Sequence, residues 1–176
     1  MAPLLPLLVD LCLLRRGPQD LPYSPRLTRS LVLLGLGCDL LYVALLEVQG
    51  ALPRVVFGLA LTLALPWWLL GWRQRRERYA QTLAALAGSG VLFTLLFLPL
   101  ALWAQQHVPA EGVETLTREQ LAAGWLVLGL LGWKLAVNGH ILRHALDLPR
   151  TAGLALALGW FLVEFNLDRL LFGAAG

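Results

Sequence analysis

The residues best equipped for chemistry are ionisable side chains set in apolar sequence: Asp39, Lys134 with Asn138 and His140, and Glu164 with Asn166, Asp168 and Arg169. A charge near a bilayer centre costs about 2.5–3.5 kcal/mol on insertion scales, so each one needs a partner. Lys134 and Asn138 are four residues apart and share a helix face, as do Glu164 and Asp168. At about 1.5 Å per residue, Asp39 lies roughly 15 Å from the edge marked by Arg29 and Lys134 roughly 14 Å from the edge marked by Arg143. Glu164, roughly 18 Å past Ala152, is within reach of a lysine side chain. These depths predict a buried polar cluster of Asp39, Lys134, Asn138 and Glu164. Such a cluster fixes helix register by mutual pairing, conducts a proton or ion, or receives a ligand or headgroup. Asp168 and Arg169 fall near the far interface, within reach of headgroups or water.

A second candidate group is Arg15, Arg16, Asp20 and Tyr23 in the stretch RRGPQDLPYSP. Pro18, Pro22 and Pro25 remove backbone donors there and forbid a continuous helix, which predicts a structured turn at the membrane surface. Its charges would meet headgroups or a protein partner. No base stands near Asp20, Tyr23 or Ser24 to activate a nucleophile. His140 and His144 have i, i+4 spacing, but only Asp147 follows as an acidic neighbour, and the pair reads as interfacial histidines without a metal. No GxSxG elbow, HExxH pair, Walker loop or GxGxxG turn occurs. The expectation is a non-enzyme with no catalytic residues, no metal and no cofactor.

The elements that must position these groups are long apolar runs. Hydrophobic residues make up 58% of the chain and charged residues 14%, against roughly 25% charged in an ordinary soluble domain. Spans are expected at Ser30 to Val48, Val55 to Trp72, Thr82 to Trp103, Leu121 to Leu142 and Ala152 to Phe172. Before them, Pro3 to Leu14 is apolar but too short to cross, and reads as an interfacial or re-entrant helix. Arg15 and Arg16 follow that segment instead of preceding it, unlike a signal peptide. The expected fold is therefore all-α: residues 1–29 form an interfacial helix and Pro-rich turn, and residues 30–176 a five-helix membrane bundle.

Within the spans, Pro66 and Pro99 each remove an intrahelical bond and predict a bend. Ala84 with Gly88 and Gly153 with Ala157 are small-xxx-small pairs that predict close helix packing inside the bundle. Cys12 and Cys38 lie in apolar segments and read as small buried packing residues. Trp67, Trp68, Trp72, Trp103 and Trp125 fall near expected helix ends, where indoles anchor at headgroups.

Basic residues concentrate on one side. Arg15, Arg16, Arg26 and Arg29, then Arg73, Arg75, Arg76 and Arg78, then Arg143 and Arg150 face only Arg54 and Arg118 on the other side. The positive-inside rule predicts a cytoplasmic N-terminus, an outer C-terminus and an external loop from Gln105 to Arg118 holding Glu111 and Glu114. The formal charge of +3 is thus topology control, which argues against a nucleic-acid partner.

Five spans with this orientation, preceded by the Pro-containing segment Asp20-Leu-Pro-Tyr-Ser-Pro25, are similar to the Yip1 family of small membrane proteins. The resemblance implies a bacterial inner-membrane location and function through partner binding. Combined with short loops that leave little room for catalysis, it gives the expectation of an accessory or scaffold subunit. Its partners would be membrane lipids and another integral membrane protein or a second copy. The alternative is a small proton- or ion-coupled carrier or channel subunit built on Asp39, Lys134 and Glu164.

Overall fold

A proline opens the first long helix where the sequence suggests a turn. The computed structural model describes residues 4–48, 50–107 and 117–172, and in it the helix starts at Pro25, not at Ser30. Proline is tolerated at a first helical position because that N–H has no intrahelical partner anyway. Ser24 supplies the cap, its Oγ accepting from the Leu27 N–H at 3.3 Å.

Among the described residues the chain is helical throughout, with no strand. A short helix α1 (Leu4–Cys12) is followed by a 3₁₀ turn at Pro18–Asp20 and then by five long helices: α2 (Pro25–Leu45), α3 (Ala51–Trp72), α4 (Tyr79–His107), α5 (Arg118–Leu146) and α6 (Arg150–Phe172). The third and fourth expected spans are several residues too short, because polar residues at either end continue the helices: Gln105 and Gln106 extend α4, and Arg143 and His144 extend α5. The loop bearing Glu111 and Glu114 lies outside the described residues.

Helices α2, α3, α4 and α5 are long and apolar enough to cross a membrane. Their outward faces carry Leu33, Val56, Leu95 and Leu128, all exposed. An apolar exterior of this kind is solvated by lipid, and the chain is an integral membrane protein. Helix α6 has 23 residues but carries Glu164, Asn166, Asp168 and Arg169 near its end, and is not among those four.

Packing fixes the helix directions. Thr28 near the start of α2 donates to the Ala80 carbonyl near the start of α4 at 3.0 Å, so these two helices run parallel. The end of α5 meets the start of α6 in an antiparallel pair. There a Cβ on Gly153 would lie 2.6 Å from the Gly139 carbonyl oxygen, and one on Gly139 would lie 3.0 Å from the Leu154 Cα. Only glycine permits that approach. Gly88 leaves room for the Leu8 side chain of α1, whose Cδ2 would lie 2.6 Å from an added Cβ. Both small-residue pairs are therefore used within the chain. Tyr79 donates to the Leu63 carbonyl at 3.1 Å, next to the Thr62 carbonyl that loses its helical donor to Pro66.

Helix α1 buries Leu7, Leu8, Leu11 and Cys12 against α4 and α5. Trp133 Nε1 donates to the Cys12 carbonyl at 2.8 Å, which satisfies one of the free acceptors at the end of α1. Burial pushes the Cys12 thiol up to about 11. Cys38, expected to be buried, is half-exposed on α2.

Candidate functional site

Each of the five long helices contributes to one cavity of about 380 Å³. Asp39 and Tyr42 come from α2, Arg54 and Thr62 from α3, Thr94 from α4, Lys134 and Asn138 from α5, and Glu164 from α6. Measured from the observed helix ends near the arginine-rich loops, Asp39, Lys134 and Glu164 sit roughly 18–21 Å deep along their helices. The sequence-derived cluster of Asp39, Lys134, Asn138 and Glu164 is brought together in one space.

Ion pairing between these charges is not what assembles them. Asp39 Oδ1 accepts from Thr94 Oγ1 at 3.3 Å, and no ion pair joins Lys134 to either carboxylate among the described residues. Lys134 is nonetheless close enough to act electrostatically on both Asp39 and Glu164. The Glu164 carboxylate is given room by Gly58, whose added Cβ would stand 4.0 Å from Oε1. Glu164, Lys134 and Asn138 thus line the cavity without, among the described residues, any hydrogen bond to one another.

Arg54 is the member that sequence reasoning assigned elsewhere. Counted as one of two basic residues on the sparsely charged side, it instead sits in the first turn of α3 and lines the cavity. Its Nη2 donates to the Phe172 carbonyl at 3.2 Å, and its guanidinium stands 5.6 Å from the centre of the Phe172 ring. Its Nε lies 3.7 Å from Asp168 Oδ1 but is buried without a hydrogen-bond partner. Asp168, expected at headgroups, therefore meets a guanidinium instead, because the start of α3 and the end of α6 lie side by side. The signal was available in principle: both residues are the same number of turns from the arginine-rich ends of their helices.

The opposite end of the bundle uses its charge differently. Arg78 Nη1 donates to the His144 and Ala145 carbonyls at 3.1 and 3.3 Å and to Asp147 Oδ1 at 2.9 Å. Arg73 Nη2 donates to the Leu146 carbonyl at 3.2 Å, and Arg75 pairs with Asp147 at 3.1 Å. The loop arginines thereby cap the free carbonyls at the end of α5, where cations also meet the negative end of the helix dipole. The hydrogen bond from Arg78 and the neighbouring guanidinium charges hold the Asp147 carboxyl below the usual carboxylate range. Arg76 lies 4.7 Å from the Trp67 ring, a cation–π contact.

The second sequence-derived group, Arg15, Arg16, Asp20 and Tyr23, is largely occupied by the turn itself. Arg15 and Arg16 reach Asp10 at 3.9 and 3.2 Å. Asp20 Oδ2 accepts from the Gly17 N–H at 2.8 Å, and Gln81 Nε2 donates to the Leu21 carbonyl at 2.8 Å. Tyr23 alone projects freely, 67% exposed. His140 Nε2 donates to the Arg16 carbonyl at 2.9 Å, and His144 Nε2 accepts from Arg143 at 3.0 Å. Both Nε2 atoms therefore have protein partners. Among the described residues no group of three or more His, Cys, Asp or Glu side chains is arranged to hold a metal.

No protein-family model matches the chain, and no match is found among curated proteins or solved structures.

Proposed function

We propose that this is a small carrier whose bundle binds a polar solute between its helices, with movement coupled to a proton or ion. One observation carries the reading: all five long helices meet at a single cavity of about 380 Å³ that presents Asp39, Lys134, Glu164 and Arg54 together. A charge that serves only to hold helices together does so by pairing across an interface, as Arg78 and Asp147 do. Charges around an open space instead serve whatever enters it. In this reading α6 is a fifth span, its acids turned to the cavity and to Arg54 and its apolar face to lipid. The N-terminus is cytoplasmic and the C-terminus outside, as the arginine asymmetry requires, in a bacterial inner membrane. The Yip1-like resemblance implies the same five-span plan.

The test is flux in proteoliposomes. The variant Asp39→Asn, Lys134→Met, Glu164→Gln should fold, keep its helix content and lose proton- or ion-dependent solute uptake. Gly58→Leu should do the same by filling the space before Glu164, since its Cβ meets nothing closer than 4.0 Å. Unchanged uptake in both variants would sink the carrier reading.

The scaffold reading keeps one supporting observation, the exposed Tyr23 ring on a turn held by Asp20 and Gln81. A partner that co-purifies with the native chain and is lost with Tyr23→Ala, at unchanged thermal stability, would favour it.

A further inference from the structure

The cavity is far larger than a bare ion needs and falls within the roughly 300–1,000 Å³ typical of small-molecule sites. Its two acids and Arg54 lie at different depths along the bundle, with Lys134 close to the level of the acids, roughly 18 Å from the arginine-rich end of α5. Asp39 and Glu164 lie roughly 21 Å from the arginine-rich ends of their helices, whereas Arg54 lies roughly 27 Å from the corresponding end of α3. Arg54 is incompletely used: its buried Nε lies 3.7 Å from Asp168 Oδ1 without a hydrogen bond, and Nη1 makes no hydrogen bond among the described residues. A cavity-lining guanidinium with a spare Nη1 suits a carboxylate or another planar acid group. Two carboxylates, Asp39 and Glu164, line the same cavity as the Trp160 and Phe161 side chains. Carboxylates and aromatic faces together suit an ammonium group. Tyr42, Thr62 and Asn138 add neutral donors and acceptors to the lining.

Resting on the carrier reading, we infer that the solute is a zwitterion of amino-acid size, its ammonium held by Asp39 and Glu164 and its acid group by Arg54. Lys134, within electrostatic reach of both carboxylates, is the internal counter-charge that balances them when the site holds only water. A lipid headgroup offers similar chemistry, and Asp39 and Glu164 lie about 9 and 12 Å from the other ends of their helices, so the experiment must separate a headgroup from a free solute.

The experiment titrates the purified full-length protein in detergent with each of the twenty amino acids, following thermal stability and binding heat. The best of them is then compared with its own decarboxylated amine and its own deaminated acid. The zwitterion should bind at least tenfold more tightly than either half. In Arg54→Gln that advantage over the amine should vanish. Asp168→Asn loosens the same contact without touching the guanidinium, and should keep the preference. An amine that binds as well as its amino acid to the native protein overturns the zwitterion and leaves a carrier of organic cations. Stabilisation by added phosphatidylethanolamine with no response to any amino acid overturns it in favour of a headgroup site. Solute uptake that persists with no amino acid binding overturns this assignment alone, whereas loss of all solute binding and all uptake overturns the carrier reading with it.

Discussion

The loop between α3 and α4 and the central cavity each hold a handful of charged residues and use them in opposite ways. In the loop between α3 and α4 each guanidinium has a partner: Arg73 and Arg78 reach the last carbonyls of α5, Arg75 reaches Asp147, and Arg76 lies over Trp67. In the cavity Asp39 has one threonine, Arg54 Nε lies 3.7 Å from Asp168 without a hydrogen bond, and Lys134 is in no ion pair among the described residues. The difference teaches that charge density is a poor guide to a site. A dense cluster can be spent entirely on closing helix ends, while a few scattered charges stay available because space separates them.

The comparison is tested most severely where the saturated end is held by backbone contact. Gly153→Val forces a side chain into the Gly139 carbonyl, and neither backbone can yield without separating α5 from α6. The expected loss is about 3 kcal/mol, at the upper end of what overpacking costs, and the variant should melt earlier or fail to accumulate in the membrane. Fluorescence-detected size exclusion after heating reads it directly.

Next comes Arg78→Ala, which strips hydrogen bonds from two carbonyls and a carboxylate at once. A melting temperature lower by about 5 °C is expected, with solute binding in the cavity unchanged at saturating concentration. If Arg78→Ala instead abolished binding and left stability alone, the division between the two regions would be wrong.

Lys134→Met should show the reverse pattern. Breaking a tight buried ion pair costs about 3–5 kcal/mol, but Lys134 faces open space, so a loss below about 1 kcal/mol is expected together with a large fall in uptake. A stability loss of the full size would mean that the cavity charges pair as the arginine-rich end does.

The smallest effect is titration of Asp147. Its folded pKa lies below the unfolded value of about 3.9, so its contribution is present above that pH and disappears as pH falls through the folded pKa. Melting temperature should therefore decline below about pH 4, and Asp147→Asn should flatten part of that decline. The group is exposed and screened, which keeps the effect slight.

Much of this division was legible in the sequence, but unevenly. Apolar runs located the long helices because lipid leaves their pattern unbroken, and depth arithmetic brought Asp39, Lys134 and Glu164 together because rise per residue is nearly constant. The arginine cluster was read only as topology, since its main acceptors are backbone carbonyls, which no residue type announces. Helix ends were misjudged for a related reason. The ends of α1, α2 and α5 are followed or capped by Leu14, Glu47 and Asp147 at positive φ, where glycine is the usual signal. Arg54 was missed because a single arginine in a short connection looks like an orientation signal until the end of α6 is laid beside it.

The bond from Trp133 to the Cys12 carbonyl spans 121 residues of chain, and this has a consequence for biogenesis. Helix α1 leaves the ribosome before α4 and α5, yet its site is complete only when both are in the membrane. Until then its buried leucines and its last carbonyls have no housing. A segment made before the helices that house it is thus settled after them, and its docking reports that the bundle has been assembled. A chain truncated before α5 would present α1 unsheltered, a ready mark by which quality-control proteases tell an unfinished copy from a finished one.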